Sequence, residues 1–349
     1  MSLPSQARQL DLDLVRTVAI FGTVLIHATA VGGFNWAFGS AAWTANLFWS
    51  SLLRCAVPLF LMCSGALFLD PGRDLPLKTL WGKYMLRIAV ALVFWATAYL
   101  VWGLWLQGDM NWPGLSWAIR EFFKFRHRDH LYYLVLLLLV YAVLPLTRLF
   151  TAQAGKTLLT YGLTLWLLCG SVLPVLFTFW PFSLTEGTVR EYSMRFTGMA
   201  VGLGVLGWLL HTQGKKLPAK CYALLYLGGF ALTFFGTLAL SLRRGELCWT
   251  LLQGNAPGVL LEAAGLFGLC LYGKPGARGR AVTTAFSKAS FCIYLVHLFF
   301  LDLLMKAGYY TGALNPVWSA PAETVVLVAC GFVTWLVLRK VPLVKRYLI

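Results

Sequence analysis

An arginine and a histidine stand eleven residues apart in one apolar segment near the start of the chain. The segment, residues 11–33, reads DLDLVRTVAIFGTVLIHATAVGG, and Arg16 and His27 lie near its two ends. Eleven helical steps make almost three whole turns, so both side chains fall on one face, roughly 16 Å apart. Ionisable groups inside a membrane cost several kcal/mol unless they pair, face the protein interior or line a wet cavity. The helix alone is equally compatible with a polar interior face and with a lipid-edge arginine beside a structural histidine.

Arg54 and the Ser64–Gly65 pair interrupt the second apolar segment. Arg54 lies roughly 12 Å inside it, which is too deep for easy snorkelling and favours a polar cavity over a lipid contact. Ser64 and Gly65 lie toward the other end, in the run VPLFLMCSGALFL. Glycine lets a second backbone or a ligand approach closely, so this pair fits helix packing and a ligand contact equally well.

A polar stripe runs along the ninth apolar segment, SKASFCIYLVHLFFLD. Ser290, Tyr294 and His297 recur at i, i+4 and i+7 and therefore share one helical face. In so apolar a segment we expect such a stripe to face the bundle interior rather than lipid. Glu262 and Asp302 are the acids near these segments. The spacing of the histidines and acids is not that of zinc ligands, and no metal site is predicted.

Two basic residues mark the entry to the third apolar segment. Lys83 and Arg87 are four residues apart and share a helical face at the predicted cytoplasmic edge. Together they can bind the phosphates of a nucleotide-containing cofactor. Ordinary positive charge on cytoplasmic loops is the commoner explanation of such a pair.

A second basic cluster lies in residues 117–133, WAIREFFKFRHRDHLYY, which carry Arg126, Arg128 and His130 among aromatic side chains. The pattern is typical of an interfacial amphipathic helix that enters the fourth span. Such a helix can gather an anionic, lipid-linked acceptor, or it can dock on anionic headgroups of the membrane. The sequence leaves both interpretations open.

The composition determines the environment of these groups. Of the 349 residues, 59% are hydrophobic and only 12% are charged, whereas about a quarter of a soluble domain is charged. The apolar runs are long and uninterrupted, unlike the short alternating strands of an outer-membrane barrel. The chain is therefore predicted to be all-α and polytopic. Its formal charge of +16 follows membrane topology and not nucleic-acid binding, because no soluble segment is long enough to form a basic domain.

About ten membrane-spanning helices position the candidate residues. The uneven distribution of the 29 Lys and Arg residues between the two sides predicts that both termini are cytoplasmic. We expect residues 1–349 to form one integral-membrane domain with no separate soluble domain. Taking about 20 mostly apolar residues per span, the predicted spans are 12–31, 46–69, 85–106, 131–149, 158–181, 195–211, 221–242, 255–273, 289–305 and 323–338.

Together these pieces resemble the acyltransferase 3 family of membrane acyltransferases. The resemblance rests on five motifs that follow the family's order: DLVRTVAIFGTVLIHA, RCAVPLFLMCSG, KYMLRI, HLYYLV and SFCIYLVH. An arginine followed eleven residues later by a histidine is the family's signature. The sequence looks most similar to stand-alone members that O-acetylate bacterial surface polysaccharides, of the enterobacterial common antigen type.

The resemblance implies a ten-helix enzyme of the bacterial inner membrane. It would transfer the acetyl group of cytoplasmic acetyl-CoA to a hydroxyl of an envelope glycan or lipid-linked sugar on the outer face. His27 would be the catalytic base, and Arg16 would orient the site or the donor. The other candidates are Arg54, Ser64, Tyr294 and His297 for the acyl donor or the oxyanion, Lys83 and Arg87 for the CoA phosphates, and Arg126, Arg128 and His130 for the acceptor.

Two positions depart from the family pattern. Many members carry a basic pair three residues apart at the third span, whereas the first of those positions is Tyr84 in this chain. Some members carry an acid shortly after the histidine, whereas Ala28, Thr29 and Ala30 follow His27. Any acid partner of His27 must therefore come from elsewhere in the chain.

Three alternatives remain open at the level of sequence. A transporter or exporter of an anionic or lipid-linked substrate would use the same arginines and histidines as binding groups. A related enzyme would use another acyl donor, or an amine as the acceptor. The transfer itself can proceed by direct attack on the thioester or through an acetyl-histidine intermediate.

Overall fold

The computed structural model describes residues 9–32, 34–124, 128–185 and 196–349, and within these ranges the chain forms helices and no strands. Nine helical segments of the described ranges are long and apolar enough to cross a membrane. A further helix, Phe196–Gln213, occupies the position of the sixth predicted span. The prediction of an all-α polytopic bundle is confirmed.

Each predicted span has a helical counterpart, and the main helices are numbered in chain order. They are α1 (Leu10–Ala30), α2 (Ala41–Leu52), α3 (Ala56–Phe68), α4 (Leu86–Gln107), α5 (Trp112–Phe123), α6 (Tyr132–Gln153), α7 (Lys156–Leu167), α8 (Phe196–Gln213), α9 (Ala219–Arg244), α10 (Pro257–Leu271), α11 (Ala277–Lys306), α12 (Pro316–Leu338) and α13 (Pro342–Tyr347).

Helix α1 lies at the centre of the bundle, where it contacts α2, α3, α10, α11 and α12. Asp11 and Asp13 in its first turn interact favourably with the positive end of the helix dipole. The Ser287 hydroxyl of α11 donates a hydrogen bond of 2.7 Å to the Asp13 carboxylate. Thr17 donates to the Thr283 carbonyl, also on α11, at 3.0 Å. These contacts fix the position of α1 beside α11, the helix that carries the polar stripe.

The second predicted span is broken at residues 53–55, between α2 and α3. Pro58, in the first turn of α3, has no N–H to donate to the Arg54 carbonyl, and its ring crowds that carbonyl. A helix that passes through Arg54 is therefore unfavourable. The Leu52 carbonyl, freed by the break, accepts a hydrogen bond of 2.8 Å from the Tyr226 hydroxyl of α9.

Helices α3 and α8 pack closely through glycines. A Cβ atom built on Gly65 would lie 1.8 Å from the carbonyl oxygen of Gly204, and one on Gly207 would lie 2.2 Å from that of Met62. Gly204 and Gly207 of α8 thus allow the two helix backbones to approach closely.

The amphipathic stretch differs from its predicted position. Helix α5 begins after Asn111, whose side chain accepts a hydrogen bond of 2.9 Å from the Gly114 N–H, and Pro113 in the first turn suits a helix start. The helix ends at Phe123 and does not run into α6, which a short 3₁₀ turn, Asp129–Leu131, precedes. Trp112, Trp117 and Phe123 are exposed, as expected of a helix that lies at a membrane surface.

Candidate functional site

A large cavity, which we call the histidine cavity, opens between α1, α3, α4, α6 and α11. Its volume is about 1230 Å³. His27 and His130 line it, and so do Arg54 and Arg128. Aromatic and amide groups complete the wall, among them Trp117, Tyr132, Trp249, Gln253 and Asn255.

A second cavity, which we call the arginine cavity, has a volume of about 330 Å³. Arg16, Arg87 and Lys288 line it together with Ser64 and Ser290. Three cationic side chains from α1, α4 and α11 thus meet at one space. Arg16 and His27, on the same helix, reach different cavities.

Two tyrosines separate the cavities. Among the described residues, Tyr133 and Tyr294 are the ones that line both spaces, and both side chains are buried. Each lies three residues from a histidine: His130, in the turn before α6, precedes Tyr133, and His297 follows Tyr294 on α11. Three residues advance a helix by roughly 4.5 Å. The tyrosines therefore lie one layer below the histidines, toward the arginine cavity.

Three histidines from three elements converge beside the histidine cavity. The ring centroid of His27 lies 5.1 Å from that of His297 and 6.1 Å from that of His130. His130 and His297 are 5.5 Å apart. Within the described ranges, no group of histidine, cysteine and acidic side chains has a geometry that would hold a metal ion.

The backbone sets the orientation of the His297 ring, which is completely buried. Its Nδ1 lies 2.8 Å from the Tyr294 carbonyl oxygen and 3.1 Å from that of Ile293. A carbonyl only accepts, so Nδ1 is the protonated nitrogen. In a neutral ring this leaves a lone pair on Nε2, for which the described residues supply no hydrogen-bond partner.

Arg54 is anchored to the backbone at the edge of the cavity. Its Nε donates to the Leu252 carbonyl at 2.6 Å, in the 3₁₀ turn that precedes α10. The two terminal nitrogens of the guanidinium are not used by that bond. The helix break at residues 53–55 thus holds a fixed positive charge in the wall that His27 also lines.

Arg128 forms an ion pair with Asp302, and both residues line the histidine cavity. The Asp302 carboxylate also accepts a hydrogen bond of 3.1 Å from the Trp102 indole of α4. Asp302 is one of the acids that the sequence singled out, and its partner is Arg128 rather than His27. The other acid, Glu262, is completely buried on α10 and lines neither cavity.

Of the two predicted phosphate-binding residues, Lys83 and Arg87, one lines the arginine cavity and the other does not. Arg87 lines the arginine cavity and also donates to the main-chain carbonyl of Ile349. Lys83 is exposed and does not line that cavity. At Tyr84, where the family pattern has a basic residue, Arg73 donates a hydrogen bond of 2.9 Å to the phenol oxygen.

Lys288 is the cationic residue that sequence reasoning missed. It stands two residues before Ser290 in SKASFCIYLVH, so the polar stripe contained the necessary signal. The remaining candidates lie as follows: Ser64 and Tyr294 line the arginine cavity, Arg128 and His130 line the histidine cavity, and Arg126 lies outside the described residues.

No acid of the described ranges forms an ion pair with His27. Its ring instead contacts the rings of His297 and His130. A neutral histidine in a cavity that two arginines also line can accept a proton from a hydroxyl while the arginines stabilise developing negative charge. The arrangement is suited to acyl or phosphoryl transfer to an alcohol.

A family model described as an acyltransferase domain matches residues 9–340, nearly the whole chain. No curated protein and no solved structure gives a significant match to this chain. The matched region includes every residue of both cavities.

Proposed function

We propose, because this chain belongs to the acyltransferase 3 family of membrane acyltransferases, that it transfers an acetyl group from acetyl-CoA to a hydroxyl of a cell-envelope carbohydrate. One observation carries the proposal. A single face of α1 presents Arg16 to a basic cavity and His27, roughly 16 Å along the helix, to a cavity with aromatic and amide walls. Donor and acceptor would therefore enter from opposite sides of the membrane.

The arginine cavity suits the phosphates of a CoA thioester. Arg16, Arg87 and Lys288 supply three positive charges to one space, and guanidinium groups bind phosphates through two parallel hydrogen bonds. We place this cavity on the cytoplasmic side of a bacterial inner membrane, where acetyl-CoA is available. The pantetheine arm would then reach past the tyrosines toward His27, so that the acyl group crosses the membrane while the nucleotide does not.

The histidine cavity suits a sugar acceptor. Amide side chains such as those of Gln107, Gln253 and Asn255 can donate to and accept from sugar hydroxyls. Aromatic walls with a few polar groups are typical of small-ligand sites. Arg128 also lines this cavity, and although it is paired with Asp302, its side chain is 38% exposed and can also contact an anionic group of a lipid-linked acceptor.

In the proposed reaction, His27 removes the proton of the acceptor hydroxyl as its oxygen attacks the thioester carbon. The new C–O bond forms, the C–S bond breaks, and the proton on His27 passes to the leaving thiolate. Arg54 is the better of two oxyanion candidates, because the lone pair on Nε2 of a neutral His297 cannot donate a hydrogen bond. His297 contacts the His27 ring where some relatives use a carboxylate, and we assign it a positioning role.

The test is acetylation of envelope glycans by variants of the full chain, measured as acetyl mass on glycans from cells with and without the gene. His27→Ala should lower transfer by roughly a hundredfold or more, the range for loss of a general base. His211→Ala is the matched control, because this histidine pairs with Asp11 at 3.5 Å and lines neither cavity. Normal acetylation by His27→Ala would refute the assignment of the base.

Two further readouts separate the alternatives. Acetyl label trapped on the wild-type protein without acceptor would support an acetyl-histidine intermediate over direct attack. Stabilisation of the purified protein against heat by acetyl-CoA or CoA is expected of the enzyme but not of a carrier for another substrate. A glycan that loses a mass other than acetyl would identify a different acyl donor.

A further inference from the structure

We infer that the Tyr133–Tyr294 pair limits the width, and not the length, of the acyl group that this protein transfers. The inference rests on the proposed function. It follows from the position of the pair, because an acyl group that travels from the arginine cavity to His27 must pass the residues that line both spaces. Among the described residues these are Tyr133 and Tyr294.

The two rings meet edge to face. Their centroids are 5.6 Å apart with an interplanar angle of 73°, which is within the range of a favourable aromatic contact. The exposed fractions of the residues are 7% for Tyr133 and 5% for Tyr294. Contact at this distance leaves little space between the rings.

The surroundings keep both rings in place. The Tyr294 hydroxyl donates a hydrogen bond of 2.5 Å to the carbonyl of His130, which lies three residues before Tyr133 in the same segment. Phe60 lies 6.0 Å from the Tyr133 ring, and Phe291 stacks 6.5 Å from Tyr294. Passage of a thiol arm therefore requires a small displacement of one ring, and each additional side branch on the arm requires a larger one.

The width and the length of an acyl group affect its passage between the two tyrosines differently. Added methylenes on a linear acyl group follow one another through the same gap and then enter a histidine cavity of about 1230 Å³. A branch at the carbon next to the carbonyl widens the group at the gap itself. Close-packed protein walls resist such widening, since they have few voids to absorb it.

Two C4 donors test this directly, because butyryl and isobutyryl groups have the same number of carbons and differ in branching. Membranes that contain the full-length protein are supplied with labelled acetyl-CoA, butyryl-CoA or isobutyryl-CoA, and label in the glycan fraction is measured. Membranes from cells without the gene give the background. Tyr133→Ala and Tyr294→Leu open the gap from opposite walls, so that poor folding of one variant leaves the other.

In both variants we expect the isobutyryl-to-acetyl ratio to rise roughly tenfold or more over wild type, the scale of discrimination that pocket contacts provide. The butyryl-to-acetyl ratio should rise much less. Tyr133→Phe keeps the ring and should leave both ratios at the wild-type value. Leu136→Ala, three residues further along α6 at a buried position that lines neither cavity, should also leave them unchanged.

Two results would overturn the inference. If wild type transfers acetyl but both variants keep the wild-type isobutyryl ratio, the tyrosines do not select the acyl group. If butyryl and isobutyryl transfer rise equally, selection is by length. If wild-type membranes transfer label from none of the three donors above background, the proposed function itself fails and the inference with it.

Discussion

The contact between α3 and α8 predicts a strong asymmetry between two glycine-to-alanine substitutions. A methyl group on Gly65 would lie 1.8 Å from the Gly204 carbonyl oxygen and 2.4 Å from its Cα, whereas ordinary contacts begin near 3.4 Å. A methyl group on Gly204 would meet the Gly65 Cα at 3.7 Å and the Leu69 side chain at 4.0 Å. Gly65→Ala should therefore destabilise the packing of these two helices, whereas Gly204→Ala should not.

The loss of stability depends on whether the added methyl group clashes with backbone or with a flexible side chain. Overpacking usually costs about 1–3 kcal/mol, and the lower values arise when a flexible side chain moves aside. At Gly65 the obstacle is backbone, so the helices must separate by more than an ångström. We expect Gly65→Ala to cost about 3 kcal/mol, at the upper end of that range, and to lower the Tm by roughly 5 °C.

The measurement is thermal unfolding of both variants and wild type in the same detergent. Gly204→Ala should unfold close to wild type. Because Ser64 lines the arginine cavity, Gly65→Ala should also weaken binding of acetyl-CoA, followed by its stabilising effect on the same unfolding curve. A Gly65→Ala protein that melts within about 1 °C of wild type, or equal losses in both variants, would refute the close approach of these helices.

Two further predictions concern charged groups of the cavities. Lys288→Gln should weaken acetyl-CoA binding by roughly tenfold or more, the loss of one charge-assisted hydrogen bond. Lys83→Gln should not weaken it, and titration calorimetry of the purified variants compares the two. Arg128→Met should lower the Tm more than Asp302→Asn, because the Asp302 side chain is 10% exposed and that of Arg128 is 38% exposed. Removal of the arginine thus leaves a more deeply buried charge unpaired, and a larger loss for Asp302→Asn would contradict this.

The class of fold could be predicted because lipid imposes a simple rule on the sequence. A segment that crosses a bilayer must be long and apolar and must satisfy its backbone internally. Helices α1, α4 and α6 therefore lie close to their predicted bounds, whereas α11 ends where predicted but begins twelve residues earlier. Pro58 could also have predicted the helix break before α3. A proline disrupts the helix at the residue four positions earlier, here Arg54, and hydropathy averaged over twenty residues does not show this local effect.

Within the site, residues on one helix were easier to predict than residues brought together from several. The helical period related Arg16 to His27 and Tyr294 to His297 without any knowledge of packing. The contact of His130 with His27 and His297 depends on how α1, α6 and α11 are arranged, and no local pattern contains that information. The same holds for Arg128 and Asp302, which are separated by 174 residues along the chain.

Helix α11 carries Lys288 in the wall of the arginine cavity, Tyr294 between the cavities and His297 beside the histidine cavity. The nine helical steps from Lys288 to His297 hold these side chains roughly 13 Å apart along the axis. Insertion or deletion of one residue between them would turn one group by about 100° relative to the other and move it out of its cavity. Point substitutions in this segment can alter the fit of a ligand, but the distance between its two ends is fixed by the length of the helix.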